Sequence, residues 1–170
     1  STVNLDYARK LWDFGSELNI TSQDYKLKSQ EFPFHWELNS TFETSSLNII
    51  NNQNNNDLKL DLRPLIQHIT PNLDCDSKRL LDFYSDFTGQ DTYSYILDFS
   101  QEVKLDEIDQ KVSNNYGEYT IQLSELSPGK YKLDSYLAIK KEKISSEDIQ
   151  QVCEIYNEIE SPKWVEINLP

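Results

Sequence analysis

The chain has 170 residues, 29 of them acidic and 16 basic, a net charge of −13, and ten Tyr, seven Phe and three Trp. That length can bury a core without disulfide or metal staples, and a disordered chain lacks so many core-forming aromatics. The acidic balance argues against nucleic acid and anionic membranes, whose binding rests on clustered Lys and Arg, and no apolar run approaches the ~20 residues of a bilayer span.

The chain opens on Ser1, with no methionine anywhere, so it reads as trimmed, cleaved or cut from a longer protein. Residues 1–19 carry no signal-peptide pattern. Leu5, Ala8, Trp12 and Gly15, joined by Leu11 and Leu18, form a stripe that predicts an N-terminal amphipathic helix. From Phe32 the pattern switches to period two: Phe32, Phe34, Trp36, Leu38 and Phe42 against Pro33, His35, Glu37, Asn39, Thr41 and Glu43. This predicts a strand with one buried face. Leu47 to Ile50 begins a partner strand or edge, and Asn51–Asn56 reads as a polar loop.

The same alternation recurs in Leu58, Leu60 and Leu62. Asp76 or Ser77 is placed to cap a short helix carrying Leu80, Leu81, Tyr84 and Phe87, ended by Gly89. Tyr93, Tyr95, Leu97, Phe99, Val103 and Leu105 alternate with Ser94, Asp98, Ser100, Glu102 and Lys104. Glu102–Asp109 reads as a solvated acidic segment. Tyr119, Ile121 and Leu123 make one arm of a hairpin, Tyr131, Leu133, Leu137 and Ile139 the other, around Ser127-Pro128-Gly129. Leu123, Leu126, Pro128-Gly129, Tyr131 and Leu133 together resemble the L-x-P-G-x-Y turn of β-sandwich domains. Ser145 or Ser146 caps a helix with Ile149, Val152, Cys153, Tyr156 and Ile159 on one face, stopped by Pro162. Val165, Ile167 and Leu169 close the chain.

Sheets that alternate this way are antiparallel with one wet face; parallel strands read as continuous apolar runs. The expected fold is therefore α+β: an antiparallel β-sandwich or barrel-like sheet with N-terminal and C-terminal amphipathic helices, forming one domain over residues 1–170. Rossmann folds and TIM barrels are disfavoured.

Chemistry-bearing motifs are sparse. His68 and Cys75 lack the paired ligands of structural zinc. Asn72, Asp74 and Asp76 have the spacing that opens an EF-hand loop, but Ser77 and Phe83 stand where glycine and glutamate belong. No GxSxG, HExxH, P-loop or GxGxxG occurs, so no catalytic residue, cofactor or metal is expected. Cys75 and Cys153 are far apart. A buried free thiol is the first reading of Cys153, and a Cys75–Cys153 disulfide in an oxidising compartment is the rival. Asn19-Ile-Thr21 and Asn39-Ser-Thr41 are glycosylation sequons. Two such sequons are what chance gives in a chain this rich in Asn, Ser and Thr.

What remains is interaction. Trp164, Tyr136 and Ile96 lie off the core parity and are candidate protein-binding anchors. The expected function is a non-enzymatic protein–protein interaction domain, an intracellular subunit of a eukaryotic assembly, whose partner carries a basic surface. The alternative is a luminal or extracellular glycoprotein domain. An enzyme of unidentified chemistry comes third.

Overall fold

The computed structural model describes residues 18–29, 35–44, 49–52, 57–68, 70, 73, 75, 81–85 and 88–168. In chain order its elements begin with β1 (Leu18–Ser29), β2 (His35–Thr44), β3 (Ile49–Asn52) and β4 (Asp57–Asp61), followed by a 3-10 turn (Arg63–Leu65). There follow β5 (Phe83–Tyr84), β6 (Gly89–Asp98), β7 (Lys104–Leu105), β8 (Ile108–Ser113), β9 (Gly117–Ser127) and β10 (Lys130–Ile139). The chain closes with β11 (Lys143–Ile144), helix α1 (Ile149–Glu160) and β12 (Trp164–Asn168).

Every strand pairing among the described residues is antiparallel. One four-stranded sheet has the order β6-β10-β9-β8, a second the order β3-β4-β12-β7; β1–β2 and β5–β11 form two-stranded ladders. The sheets are open, which corrects the barrel-like expectation: closure needs the edge strands to pair, and β6 and β8 are not neighbours.

The first sheet is built by alternation. Tyr131, Leu133, Leu137 and Ile139 of β10 and Tyr119, Ile121 and Leu123 of β9 are all buried, and register sets Leu133 between Tyr95 and Leu123. The same core takes Leu60, Leu105 and Val165 from the second sheet and Ile149, Val152, Ile155 and Tyr156 from α1. Each such Leu or Ile contributes roughly 1.5–3 kcal/mol on burial. The Tyr131 hydroxyl ties the layers together: it accepts the Leu105 N–H at 3.0 Å and donates to the Val103 carbonyl at 3.1 Å.

Two glycines matter. Gly129 has φ +73° in the β9–β10 turn, the left-handed region that glycine enters without cost. At Gly117 a Cβ would sit 2.5 Å from the Ala138 carbonyl oxygen and 2.9 Å from Ile155 Cδ1, so only glycine lets β9 start this close to β10 and α1.

Helix α1 begins later than serine capping predicts: its N-cap is Asp148, with no side-chain capping bond, and Ser145 instead closes the turn before it. The Asp148 N–H donates to Ser145 Oγ at 3.2 Å, and that hydroxyl donates to Asp148 Oδ2 at 2.9 Å. Tyr116 donates to the same carboxylate oxygen at 2.7 Å. Ser161, extended at ψ 147°, precedes Pro162 and so leaves the helical region. Beyond it the buried Lys163 ammonium reaches back to the Glu158 carbonyl at 2.6 Å, to Glu158 Oε1 at 3.0 Å and to Ser161 Oγ, which places a cation on the negative end of the helix.

Several expectations need correction. Residues 1–17, which carry the N-terminal helix expectation, lie outside the described residues, and Leu18 opens β1. The expected helix near residues 77–88 is not helical where described: Phe83 and Tyr84 are a strand, paired with Ile144 and Lys143. The acidic run Glu102–Asp109 contains β7 and the start of β8. The alternation read from Tyr93 to Leu105 divides between β6 in the first sheet and β7 in the second, and β8 was hidden because, as a sheet edge, it is exposed along most of its length. The asparagine tract contributes Asn51 and Asn52 to β3.

Candidate interaction site at Trp164

Trp164 opens β12 directly opposite Asp61, the last residue of β4. Its parity turns it away from the core, and it is 48% exposed while Val165 beside it is 1% exposed. Asp61 is only 8% exposed. It holds Arg63 with both oxygens: Nε donates at 2.9 and 3.1 Å and NH2 at 2.6 Å, while the Arg63 backbone N–H donates at 3.1 Å. Burial works to raise the Asp61 pKa, but the bonds and charge of Arg63, with help from the Trp164 indole, outweigh it and hold the carboxyl below its usual range. Arg63 has a half-exposed side chain.

One buried carboxylate thus grips an outward arginine and stands directly across the β4–β12 ladder from an outward tryptophan. Both types are enriched at binding hot spots, and the arginine is held before any partner arrives, which lowers the entropy cost of binding. The Asp61 carboxylate saturates the Nε–H and one NH2 hydrogen of the guanidinium. Its three remaining N–H donors suit an acceptor oxygen on a partner. Lys59 and Glu166 extend the same face as a 3.5 Å ion pair.

The other anchors lie elsewhere. Ile96 is 51% exposed and stands opposite Lys132; Tyr136, half-buried, stands opposite Thr92. Both occupy the outer face of the first sheet, four residues apart on its ladder, while Trp164 is on the second sheet. The structure does not bring the three together. Asp61 and Arg63 are absent from the sequence reading. The signal was an aspartate at a strand end followed two residues later by arginine and then Pro64, a spacing that lets the arginine fold back.

A second cluster involves His68, whose side chain is fully buried. Its Nδ1–H donates to Asp91 Oδ2 at 3.0 Å, since an ionised carboxylate only accepts. Its Nε2 lies 2.8 Å from Ser135 Oγ, which donates to the Thr120 carbonyl at 3.1 Å. Tyr93 and Tyr119 meet the imidazole edge-on at 5.1 and 5.8 Å between centroids. Burial pushes the Tyr119 phenol up to about 12 and raises Tyr93 further, with the Asp91 charge adding at Tyr93. The residue order Asp–His–Ser is that of a nucleophilic triad, but the Ser135 hydroxyl donates to Thr120 and not to the imidazole, and Ser135 is 1% exposed and faces the core. As placed, the network pins the segment after the 3-10 turn to β6 and β10, an anchorage reinforced by Tyr93 donating to the Gln67 carbonyl at 2.8 Å.

Cys153, buried on α1, is bonded to Cys75 across a Cα–Cα distance of 5.7 Å. This corrects the free-thiol reading: the fold brings residue 75 over the helix. Asn39 is exposed on β2 and its amide donates to Glu37 Oε1 at 3.0 Å; Asn19 lies in β1. His35 is exposed on β2, which belongs to a different ladder from the β4–β12 pair of the Asp61 corner. Asn72, Asp74 and Asp76 lie outside the described residues. No helix among those described is long and apolar enough to cross a membrane.

A family model described as a domain of unknown function with solved structure, DUF3858, matches residues 57–167. The chain belongs to that family. No curated protein and no solved structure matches it. The DUF3858 span runs from β4 nearly to the end of β12 and so includes the whole first sheet, α1, Asp61, Arg63, Trp164, the His68 network and both cysteines; β1, β2 and β3 precede it.

Proposed function

We propose that this DUF3858 chain is a non-catalytic interaction domain that docks a protein partner on the Trp164–Arg63 corner. The observation that carries the reading is the buried Asp61 carboxylate, which grips Arg63 and lies directly opposite the exposed Trp164 on the β4–β12 ladder. The exposed Ile96 and the half-buried Tyr136 supply a second, weaker surface on the other sheet. The test is purification from the native host beside a Trp164→Ala variant of unchanged circular dichroism. A partner that co-purifies with the wild type and is lost from the variant supports the corner; a partner retained equally by both overturns it.

A second reading concerns the compartment, and the Cys75–Cys153 disulfide favours it. Disulfides persist in oxidising environments and are rare where thiols are kept reduced, so we infer a luminal or extracellular location rather than the intracellular one first expected. Asn39, exposed on β2, is then open to glycosylation. Thiol titration of the denatured, unreduced native protein decides: no labelled cysteine supports this reading, and two labelled cysteines return the domain to a reducing compartment.

A further inference from the structure

Strand β8, Ile108 to Ser113, is the outer strand of the sheet ordered β6-β10-β9-β8. Among the described residues its pairing is to β9 alone. Asp109, Gln110 and Lys111 are exposed, and Ile108 and Val112 are half-buried. A free edge of this kind presents a row of unpaired N–H and C=O groups to any strand that can match it. The opposite edge, β6, is already engaged near its start, where Tyr93 donates to Gln67 and Asp91 takes His68.

We propose that the β8 edge is a self-association site, at which two copies of the chain pair antiparallel about a two-fold axis through Gln110 and join their sheets into one of eight strands. The sequence of β8 is complementary to itself in that register. Rotation about Gln110 sets Asp109 of each copy opposite Lys111 of the other and Ile108 opposite Val112. Asp109 and Lys111 share the outer face, aligned with Gln122 and Thr120; Ile108 and Val112 align with the buried Leu123 and Tyr119. The wet face of the new ladder therefore gains two opposite-charge pairs, while on the inner face two Ile108–Val112 contacts flank the Gln110 pair on the axis. Opposite charges directly across antiparallel strands are favourable and like charges unfavourable.

The register is selected by the same residues. Centring on Lys111 or on Asp109 places a like charge against itself, and a one-residue slip moves each side chain to the wrong face. A lysine alone on an edge guards it against pairing; Asp109 two residues away makes the edge selective for one partner strand. Lys111 now contacts Glu118 at 2.6 Å, and in the pair it would lie between Glu118 and Asp109 of the second copy. The two-fold makes the contact isologous and closed, so it ends at a dimer.

Sedimentation of the full chain over a concentration series tests this, with circular dichroism as the fold control. The wild type should dimerise. Asp109→Lys and Lys111→Asp should each raise the dimer dissociation constant about tenfold or more, because each turns both charge pairs repulsive. An equimolar mixture of these two variants should dimerise again, as should the double variant carrying both substitutions. A wild type that stays monomeric, or a dimer indifferent to both substitutions and to their mixture, would overturn the proposal.

Discussion

Asp61 and Arg63 are two residues apart, yet the buried carboxylate grips the half-exposed guanidinium at 2.9, 3.1 and 2.6 Å. Removing the guanidinium would leave a buried acceptor short of partners. Arg63→Ala should therefore cost about 1–3 kcal/mol, read from urea denaturation midpoints, while Arg63→Lys should cost less but lose the two-nitrogen grip.

The same pair sets an acid limb. Asp61 is held below the usual carboxylate range, so its contribution is fully present above the unfolded value of about 4 and is lost as the pH falls through the lower folded value. The wild type should lose stability faster below about pH 4 than Asp61→Asn, whose residue cannot titrate. Parallel acid limbs in the two proteins would show that other carboxylates dominate there.

The disulfide closes a loop of 78 residues. Replacing both cysteines with alanine should lower stability by about 2–4 kcal/mol and make the unfolding curve insensitive to reductant. The wild type should shift toward the variant when reduced.

Tyr131 joins β10 to β7 through its hydroxyl. Tyr131→Phe keeps the ring but strands the Leu105 N–H and the Val103 carbonyl in the core, so it should cost about 1–3 kcal/mol by thermal or urea unfolding.

Ser135 has the neighbours of a triad nucleophile but not the access. An activated-serine probe such as a fluorophosphonate should leave the folded protein unlabelled. Labelling abolished by Ser135→Ala would instead revive the enzymatic reading.

The strands of the first sheet were legible because their alternation is long: β9 and β10 bury every second residue across a turn marked by Pro128-Gly129. Helix α1 was legible from its apolar stripe, but its N-cap is Asp148 and not the expected Ser145 or Ser146. The short strands β5 and β11 were not, since two residues carry no periodicity, and Phe83-Tyr84 was absorbed into a helical pattern that tertiary pairing overrode; Lys104-Leu105 was read as the end of the Tyr93 alternation, whereas β7 belongs to the other sheet. At the candidate site, parity alone exposed Trp164. Its link to Asp61 depends on the pairing of β12 with β4, a contact between distant parts of the chain that local pattern does not encode. The same holds for Cys75 and Cys153, whose pairing stood in the sequence only as the rival to a free thiol.

The role of the Trp164 corner is tested most directly by placing a photo-crosslinking amino acid at position 164 and irradiating in the native host, with the same replacement at exposed Asn157 on α1 as the control. A discrete crosslinked partner at position 164, absent at position 157 and lost when Arg63→Ala is added, is the expected result. Equal crosslinking at the two positions, or none at position 164, would contradict the assignment of this corner as the docking site.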